Sequence, residues 1–283
     1  MSTLYIVSTP IGHLSDVTHR ALEVLGSVQR VLAEDTRRTS VLMRRYGLET
    51  PLTSLHEHNE ASRTEAVLAW LRAGEDLALV SDAGTPLISD PGARMVRAVL
   101  DDGHDVMPVP GPSALLAALV ASGFEPVPFT FVGFLPRTGR ARTEALQRIA
   151  GSPHTVVLYE APGRLARLLD ALRDACGPGR RVVVAREMTK IHETFVRGTL
   201  DEASRYYEAE RVRGEVVVVL EGMAMQAPPA SASDAQQLAQ RLLGRGGKRS
   251  AVARELTRRL GLPREEAYRI ALASSDEAGR EAD

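Results

Sequence analysis

Cysteine, lysine and asparagine are nearly missing from this chain of 283 residues, and each scarcity narrows what it can be. One cysteine, Cys176, excludes an internal disulfide framework and any cysteine-built zinc site. In "DACGPG" it reads as an inert thiol at a helix end. Asn59 is the only asparagine, and Lys190 and Lys248 are the only lysines among 35 Lys and Arg residues. A lysine retained against that bias is either a chance survivor or sits where a compact, deprotonatable ammonium is needed. No run of about 18 apolar residues is present to cross a membrane. The opening "MSTLYIVSTPIG" has neither the basic segment nor the long apolar core of a secretory signal, so a soluble, cytoplasmic protein is expected. A net charge of −1 gives no chain-wide attraction for polyanions, so any such attraction must be regional.

Familiar nucleotide and metal signatures are missing too. No G-x-G-x-x-G follows a strand pattern, and "GRGGKRS" (244–250) fails as a P-loop: Leu242 stands at its first glycine, and Arg249 separates Lys248 from Ser250. "HEHNE" (56–60) has Glu60 where H-E-x-x-H requires a histidine, and no nucleophile elbow with a matching triad occurs.

What is present is a regular alternation of short apolar runs and helical patterns. "LYIVSTPIG", "RVLAED", "LTSLHEHNE", "DLALVSD" and "DVMPVPG" read as strands or strand exits. "THRALEVLGSV", "RRTSVLMRRYG", "ASRTEAVLAWLRAG", "PGARMVRAVLDDG" and "PSALLAALVASG" read as the helices that follow them. That alternation implies an α/β domain with a mainly parallel sheet over residues 1–118. "EPVPFTFVGFLPR" reads as a passage into a second α/β domain, 119–224. Its strong strands are "HTVVLYEAP", "RRVVVAREMT" and "GEVVVVLEG", with "ETFVRGTL" as a hairpin strand. Residues 225–283 comprise an Ala/Pro/Ser linker and three helical patterns. From Arg241 to Arg269 this tail has nine basic residues against three acidic ones. Its helix, Gly-Pro turn, helix form, with Val252, Leu256 and Leu260 on one face, fits either nucleic-acid contact or a merely solvated basic face.

Open α/β sheets bind ligands beyond the carboxyl ends of their strands. Six such exits are rich in small or polar residues: Ser8–Gly12, Glu34–Thr36, Ser81–Gly92, Pro110–Ser113, Glu160–Gly163 and Arg186–Lys190. Glycine lets a ligand approach the backbone, and proline fixes the loop beforehand. In "SDAGTPLISDPG" the second Ser-Asp pair is expected to cap a helix, through Ser89 or Asp90, that begins near Pro91.

Taken together and in order, "YIVSTPIGHLSDVTHRALEVL", "VLAEDTRRTSVLM", "HEHNE", "LVSDAGTPLISDPG", "VPGPSALLAAL", "FVGFLPR", "YEAPGR" and "REMTKIHETFVRGTL" closely resemble the ribosomal RNA small subunit methyltransferase I family, part of the tetrapyrrole-methylase superfamily. The resemblance runs along essentially the whole chain. It implies two α/β domains of the tetrapyrrole-methylase type with a ligand cleft between them, a small helical C-terminal domain, and a homodimer. It also implies S-adenosyl-methionine as cofactor and 2′-O-methylation of a cytidine in the decoding region of 16S rRNA. By the same resemblance the cofactor lies against Ser81, Asp82, Ala83, Gly84, Thr85, Ile88 and Asp90, then Pro110, Ser113 and Ala114, with Glu160, Met188 and Gly214 from the second domain. Two positions depart from the family pattern: His13 stands where asparagine is common, and Thr194 where a second glutamate is common.

Methyl transfer to a ribose hydroxyl calls for alignment, worth up to ~7–11 kcal/mol, and for a base or cation that makes the hydroxyl more acidic. Lys190, Glu187 and Asp35 are the catalytic candidates, with Glu160 and Asp82 behind them; Lys190 is favoured because a desolvated lysine offers a neutral amine. Arg37, Arg38, His56 and Arg186, with Lys248, Arg249, Arg258 and Arg259 of the tail, are candidates for RNA contact. A small-molecule or protein methyltransferase of the same superfamily and a noncatalytic RNA-binding assembly factor stay open as alternatives.

Overall fold

The computed structural model describes residues 2–56, 58–208, 210, 212–223, 232–244, 247–260 and 262–280, giving the backbone alone for 232–233, 258–259 and 275–280. Five strands, β1 (Thr3–Val7), β2 (Arg30–Ala33), β3 (Leu52–Ser54), β4 (Leu77–Val80) and β5 (Asp105–Val109), pair in the order β3-β2-β4-β1-β5, all parallel. The period-two direction of strand side chains divides their apolar residues between two faces. Leu4, Leu32, Leu77 and Leu79 pack with Leu68 and Leu71 of α3 (Glu60–Arg72) and Met95 and Val99 of α4 (Ala93–Asp101). Val7, Val31, Ala78 and Val80 pack with Ala21 and Leu25 of α1 (His19–Ser27) and Leu42 and Met43 of α2 (Thr36–Arg45). Each fully buried leucine contributes ~1.5–3 kcal/mol relative to exposure. Both faces are covered, which is why the strands read as unbroken apolar runs.

The second sheet consists of β6 (Phe129–Phe134), β7 (Thr155–Glu160), β8 (Arg181–Arg186), β9 (Thr194–Thr199) and β10 (Val216–Leu220), in the order β6-β7-β10-β8-β9. Only β6–β7 is parallel; β10 runs antiparallel to both β7 and β8. The segment read as a passage is therefore itself a strand. Its alternation is broken where the register shifts between Phe131 and Gly133, a glycine at φ +68. Helices α6 (Gly139–Ala150), α7 (Leu165–Cys176) and α8 (Leu200–Glu208) cover one face. The other face takes Leu115, Ala118 and Leu119 of α5 (Ala114–Ser122), against Val157, Val183 and Val217. An apolar helix that follows the first sheet thus serves the core of the second, and residues 1–223 cluster as one compact unit.

Residues 224–283 form the other unit, with α9 (Ala232–Leu243), α10 (Arg249–Leu260) and α11 (Arg264–Arg280) around Ala239, Val252, Leu256, Ala267 and Ala271. Arg241, Lys248, Arg249, Arg254, Arg264 and Arg269 are exposed on it. The side chains of Arg258 and Arg259 lie outside the described residues. No helix among the described residues is long and apolar enough to cross a membrane.

Candidate active site

In the first sheet β1 lies between β4 and β5, so the exit loops of these three strands emerge side by side. They are bonded to one another. Thr9 and Gly84 exchange backbone hydrogen bonds at 2.9 and 3.0 Å, and Ser8 N donates to the Val109 carbonyl at 3.2 Å. The Ser8 and Thr85 hydroxyls meet at 3.0 Å, and Thr85 Oγ1 donates to the Pro112 carbonyl at 3.2 Å. Gly84 holds φ +81, and a Cβ there would lie 3.3 Å from Ile11. From the neighbouring strand, Asp35 caps α2 by accepting from Arg37 N at 2.9 Å, while its own N–H donates to Asp82 Oδ1 at 2.9 Å.

The expected cap on α4 is not made. The helix starts at Ala93 with Gly92, at φ +119, as its N-cap and no side-chain cap from its own segment. Glu60 Oε1, buried on α3, accepts instead from Arg94 N at 3.1 Å and Met95 N at 3.2 Å. Leu87 and Ser89, both at φ +72, give the loop before the helix its irregular path. Asp90 is thereby left facing the cleft rather than the helix end.

The second sheet contributes from the same edge. Because β10 is antiparallel to β7 and β8, its start lies beside their ends, with Val216 opposite both Glu160 and Arg186. Together the loops enclose a cavity of about 310 Å³, within the range of small-molecule sites. Asp82, Ala83, Gly84, Thr85, Ile88 and Asp90 line it from the β4 exit, and Ser113 and Ala114 from the β5 exit. Glu160, Met188 and Gly214 line it from the second sheet. Ser81 lies just behind, buried, in the wall of an adjoining cavity, and Pro110 lines neither. Ile11, from the Ser8–Gly12 exit, lines it too, and so do Phe134, Tyr159, Glu215 and Val217, which were not singled out from sequence.

The adjoining cavity, about 240 Å³, is walled by Pro10, Leu14, Val41, Leu42 and Lys190, among others, and shares Ile11, Arg38, Asp82, Ala83 and Glu215 with the first. Lys190 Nζ donates to Glu187 Oε1 at 2.9 Å and Glu215 Oε2 at 3.2 Å. Glu187 Oε1 also accepts from Glu215 N at 2.9 Å. Glu187 and Thr189 hold φ of +52 and +64, and the loop is fastened by Thr189 N donating to Glu193 Oε2 at 2.5 Å and His13 N donating to Thr189 Oγ1 at 3.0 Å. A Cβ on Gly12 would lie 2.6 Å from Lys190 Cγ, so the β1 exit must be bare of side chain where the lysine passes. His13 Nδ1 accepts from Ser15 N at 3.3 Å, capping a single helical turn as an asparagine oxygen would. Thr194 Oγ1 accepts from Arg186 Nε at 3.3 Å.

These contacts set the charges. Burial works to lower the Lys190 pKa, but the hydrogen bonds it donates to Glu187 and Glu215, with their negative charges, outweigh it, and the net shift is upward. Both contacts favour the ammonium form of Lys190 over the neutral amine expected of it. Burial raises Glu187, but the Lys190 ammonium and the Glu215 amide more than reverse this, leaving it below the usual range. Asp35 is held down at about 2 by its hydrogen bonds to Arg37, too low for an effective base near neutrality. Asp90 is pushed up to about 6, first by burial and then by the charges of Glu34 and Asp82. Burial likewise raises Glu34. Carboxylates crowded in this way favour a cationic ligand beside them.

Of the residues expected to meet RNA, Arg38 lines both cavities and pairs with Asp82 at 3.3 Å. Arg37 is exposed and paired with Asp35 at 2.7 Å. Arg186 donates to Thr194 and to the Arg213 carbonyl, and lines neither cavity. His56 is half-buried and its N–H donates to Asn59 Oδ1 at 2.8 Å, so the sole asparagine shapes the turn before α3.

This architecture is that of an α/β methyltransferase. Residues 3–204 match the family model of the tetrapyrrole (corrin/porphyrin) methylases. The solved uroporphyrin-III-C-methyltransferase of Thermus thermophilus superposes with a TM-score of 0.57 at 20% identity, over 78% of this chain and 94% of that one. A cobalt precorrin-4 methyltransferase gives 0.62 at 19% identity, over 77% and 94%. At such identities the likeness speaks for the fold alone.

Closer relatives define the family. A ribosomal RNA small subunit methyltransferase I of Synechocystis is 43% identical over 273 residues, covering 96% of this chain and 98% of its own. One from Micromonospora olivasterospora is 42% identical over 98% and 88%, and one from Bacillus subtilis 46% identical over 78% and 76%. The chain belongs to the ribosomal RNA small subunit methyltransferase I family, within the tetrapyrrole methylases.

Proposed function

We propose that this enzyme transfers a methyl group from S-adenosyl-methionine to the 2′-oxygen of a cytidine ribose in the decoding region of 16S rRNA. The observation that carries the reading is likeness to a ribosomal RNA methyltransferase along 96% of the chain, which takes in the basic helical tail as well as the cleft. The first cavity fits such a cofactor. Ile11, Ala114, Met188 and Val217 offer apolar walls, Gly84 opens the backbone at φ +81, and Asp90 supplies negative charge toward a cation.

When bound, the cofactor supplies a methyl group already activated by its positive sulfur. The cleft contributes alignment of the acceptor oxygen with that methyl group and exclusion of water. The bonded exits of β1, β4 and β5 fix one wall, and the β10 start fixes the other. Arg38 sits where the two cavities join, positioned to hold a phosphate of the substrate chain. The exposed basic side chains of residues 241–269 supply the regional attraction for RNA that the whole chain lacks. The same reading places the enzyme in the cytoplasm as two α/β domains and a helical RNA-binding domain. It also makes the enzyme a homodimer, a state to which the exposed Leu116 and Val120 of α5 and Met107 of β5 are suited.

The test is calorimetry with S-adenosyl-methionine on the full chain, followed by methyl transfer to 16S rRNA in small subunits lacking the modification. Cofactor binding with ribose methylation supports the reading. Absence of cofactor binding removes it, and binding with transfer only to a small molecule or protein redirects it.

A further inference from the structure

The second cavity and the carboxylate at its junction with the first are not accounted for by cofactor binding. Two carboxylates line both cavities, Asp82 and Glu215. Asp82 is committed: Oδ1 accepts from Asp35 N and Oδ2 pairs with Arg38. Asp90 and Glu160 line only the first. Glu215 is 59% exposed, and its Oε2 accepts from Lys190 Nζ at 3.2 Å. Its backbone is anchored by Glu187, so the residue is fixed at its root while its carboxylate remains open to a ligand.

The second cavity has the chemistry of a nucleotide seat. Leu14 and Val41 offer apolar surface to a base, Val41 being 47% exposed. Arg38 and Lys190 supply positive charge for phosphate and ribose oxygens. We propose that this cavity seats the acceptor nucleoside and that Glu215, at the junction, takes the proton from its 2′-hydroxyl, with the Lys190 ammonium beside the same oxygen. The inference rests on the methyltransferase reading and assigns the group that completes it.

In the step, the ribose O–H bond breaks and its proton passes to the Glu215 carboxylate. The freed oxygen pair forms the new O–CH3 bond, and the methyl–sulfur bond breaks with its pair remaining on sulfur. Lys190 stays protonated throughout and offsets the negative charge that grows on oxygen. Glu187 is a positioning residue: it holds both the ammonium and the Glu215 amide. This division explains why the retained lysine is flanked by two carboxylates rather than left to lose its proton.

The experiment is single-turnover methylation of unmodified small subunits by the full chain at saturating S-adenosyl-methionine, across pH 6 to about 9.5, for wild type, Glu215→Gln and Lys190→Met. Loss of a general base slows the reaction roughly 10²–10⁴-fold. A reaction served by the Glu215 carboxylate is expected to change little in rate across this range, whereas Glu215→Gln rises about tenfold per pH unit as hydroxide replaces the carboxylate. Lys190→Met is expected to be slower at every pH. A Glu215→Gln rate within about threefold of wild type, or a slower one with the wild-type pH shape, overturns the assignment. Wild-type transfer to rRNA tests the function reading by itself, so the two failures are distinguishable.

Discussion

Replacing Gly214 with alanine puts a methyl group where the Glu187 carboxyl lies. The new Cβ would be 2.2 Å from both Cδ and Oε1 of Glu187, and the backbone there holds φ +86. An L-residue in that left-handed region costs about 1–2 kcal/mol. The clash forces Glu187 to rotate away and give up its bonds to Lys190 Nζ and Glu215 N, both at 2.9 Å. Charge-assisted bonds contribute ~1.5–3 kcal/mol when buried, but Lys190 is 30% exposed, and solvent screening brings each to about 1 kcal/mol. The total is about 3–4 kcal/mol, which for a unit of this size lowers Tm by roughly 6–16 °C. Thermal melts of Gly214→Ala beside Gly179→Ala measure this; around Gly179 an added Cβ meets nothing within 4 Å, and φ is ordinary. Calorimetry on the same proteins should show weaker S-adenosyl-methionine binding for Gly214→Ala only, since Gly214 lines the first cavity. A Gly214→Ala protein with wild-type Tm and wild-type cofactor affinity would refute the close fit of Glu187 against this turn.

Glu60→Ala removes the acceptor for two N–H groups at the start of α4, so thermal or urea unfolding should show a loss of about 1–3 kcal/mol, with Glu60→Gln losing less. His13→Asn keeps an acceptor for Ser15 N and should leave Tm and rRNA methylation close to wild type, whereas His13→Ala loses about 0.5–1 kcal/mol of capping. Asp90→Asn should stabilise the protein in a pH-dependent way. A carboxyl raised from 3.8 to about 6 makes its ionised form costly in the folded state, so the gain in Tm should grow between about pH 4 and pH 6 and level off above. A gain that instead shrinks across that window would contradict the burial of Asp90.

Much of the cleft was legible because its first-sheet wall obeys a rule visible in sequence: small residues follow buried strands. The loops after Val80 and Val109 could be marked for this reason, and the resemblance assigned their ligand. Glu215 escaped because that rule looks only beyond strand ends, while β10 runs against its neighbours and brings a strand start to the same edge. Tyr159 and Val217 escaped because they are strand residues, with nothing in their own segments to say that an exposed stretch of sheet is a cavity wall. The Glu60 cap was hidden by distance, since a carboxylate from α3 satisfies a helix start more than 30 residues later. The strand at Phe129–Phe134 was obscured by the flanking Pro126, Pro128 and Pro136 and by the bulge at Gly133. Lys190 was found by its rarity, but its protonation depends on Glu187 and Glu215, and only the folded loop shows that both reach it.

Ribose-methylation mapping tests the central claim most directly. Small subunits from a strain deleted for this gene are incubated with the purified full chain and S-adenosyl-methionine, and every 2′-O-methyl position in their 16S rRNA is read before and after. The account predicts one new 2′-O-methylcytidine, in the decoding region, formed by wild type and strongly reduced with Glu215→Gln. Methyl groups appearing on a base, at a ribose outside that region, or nowhere despite measured cofactor binding would contradict it.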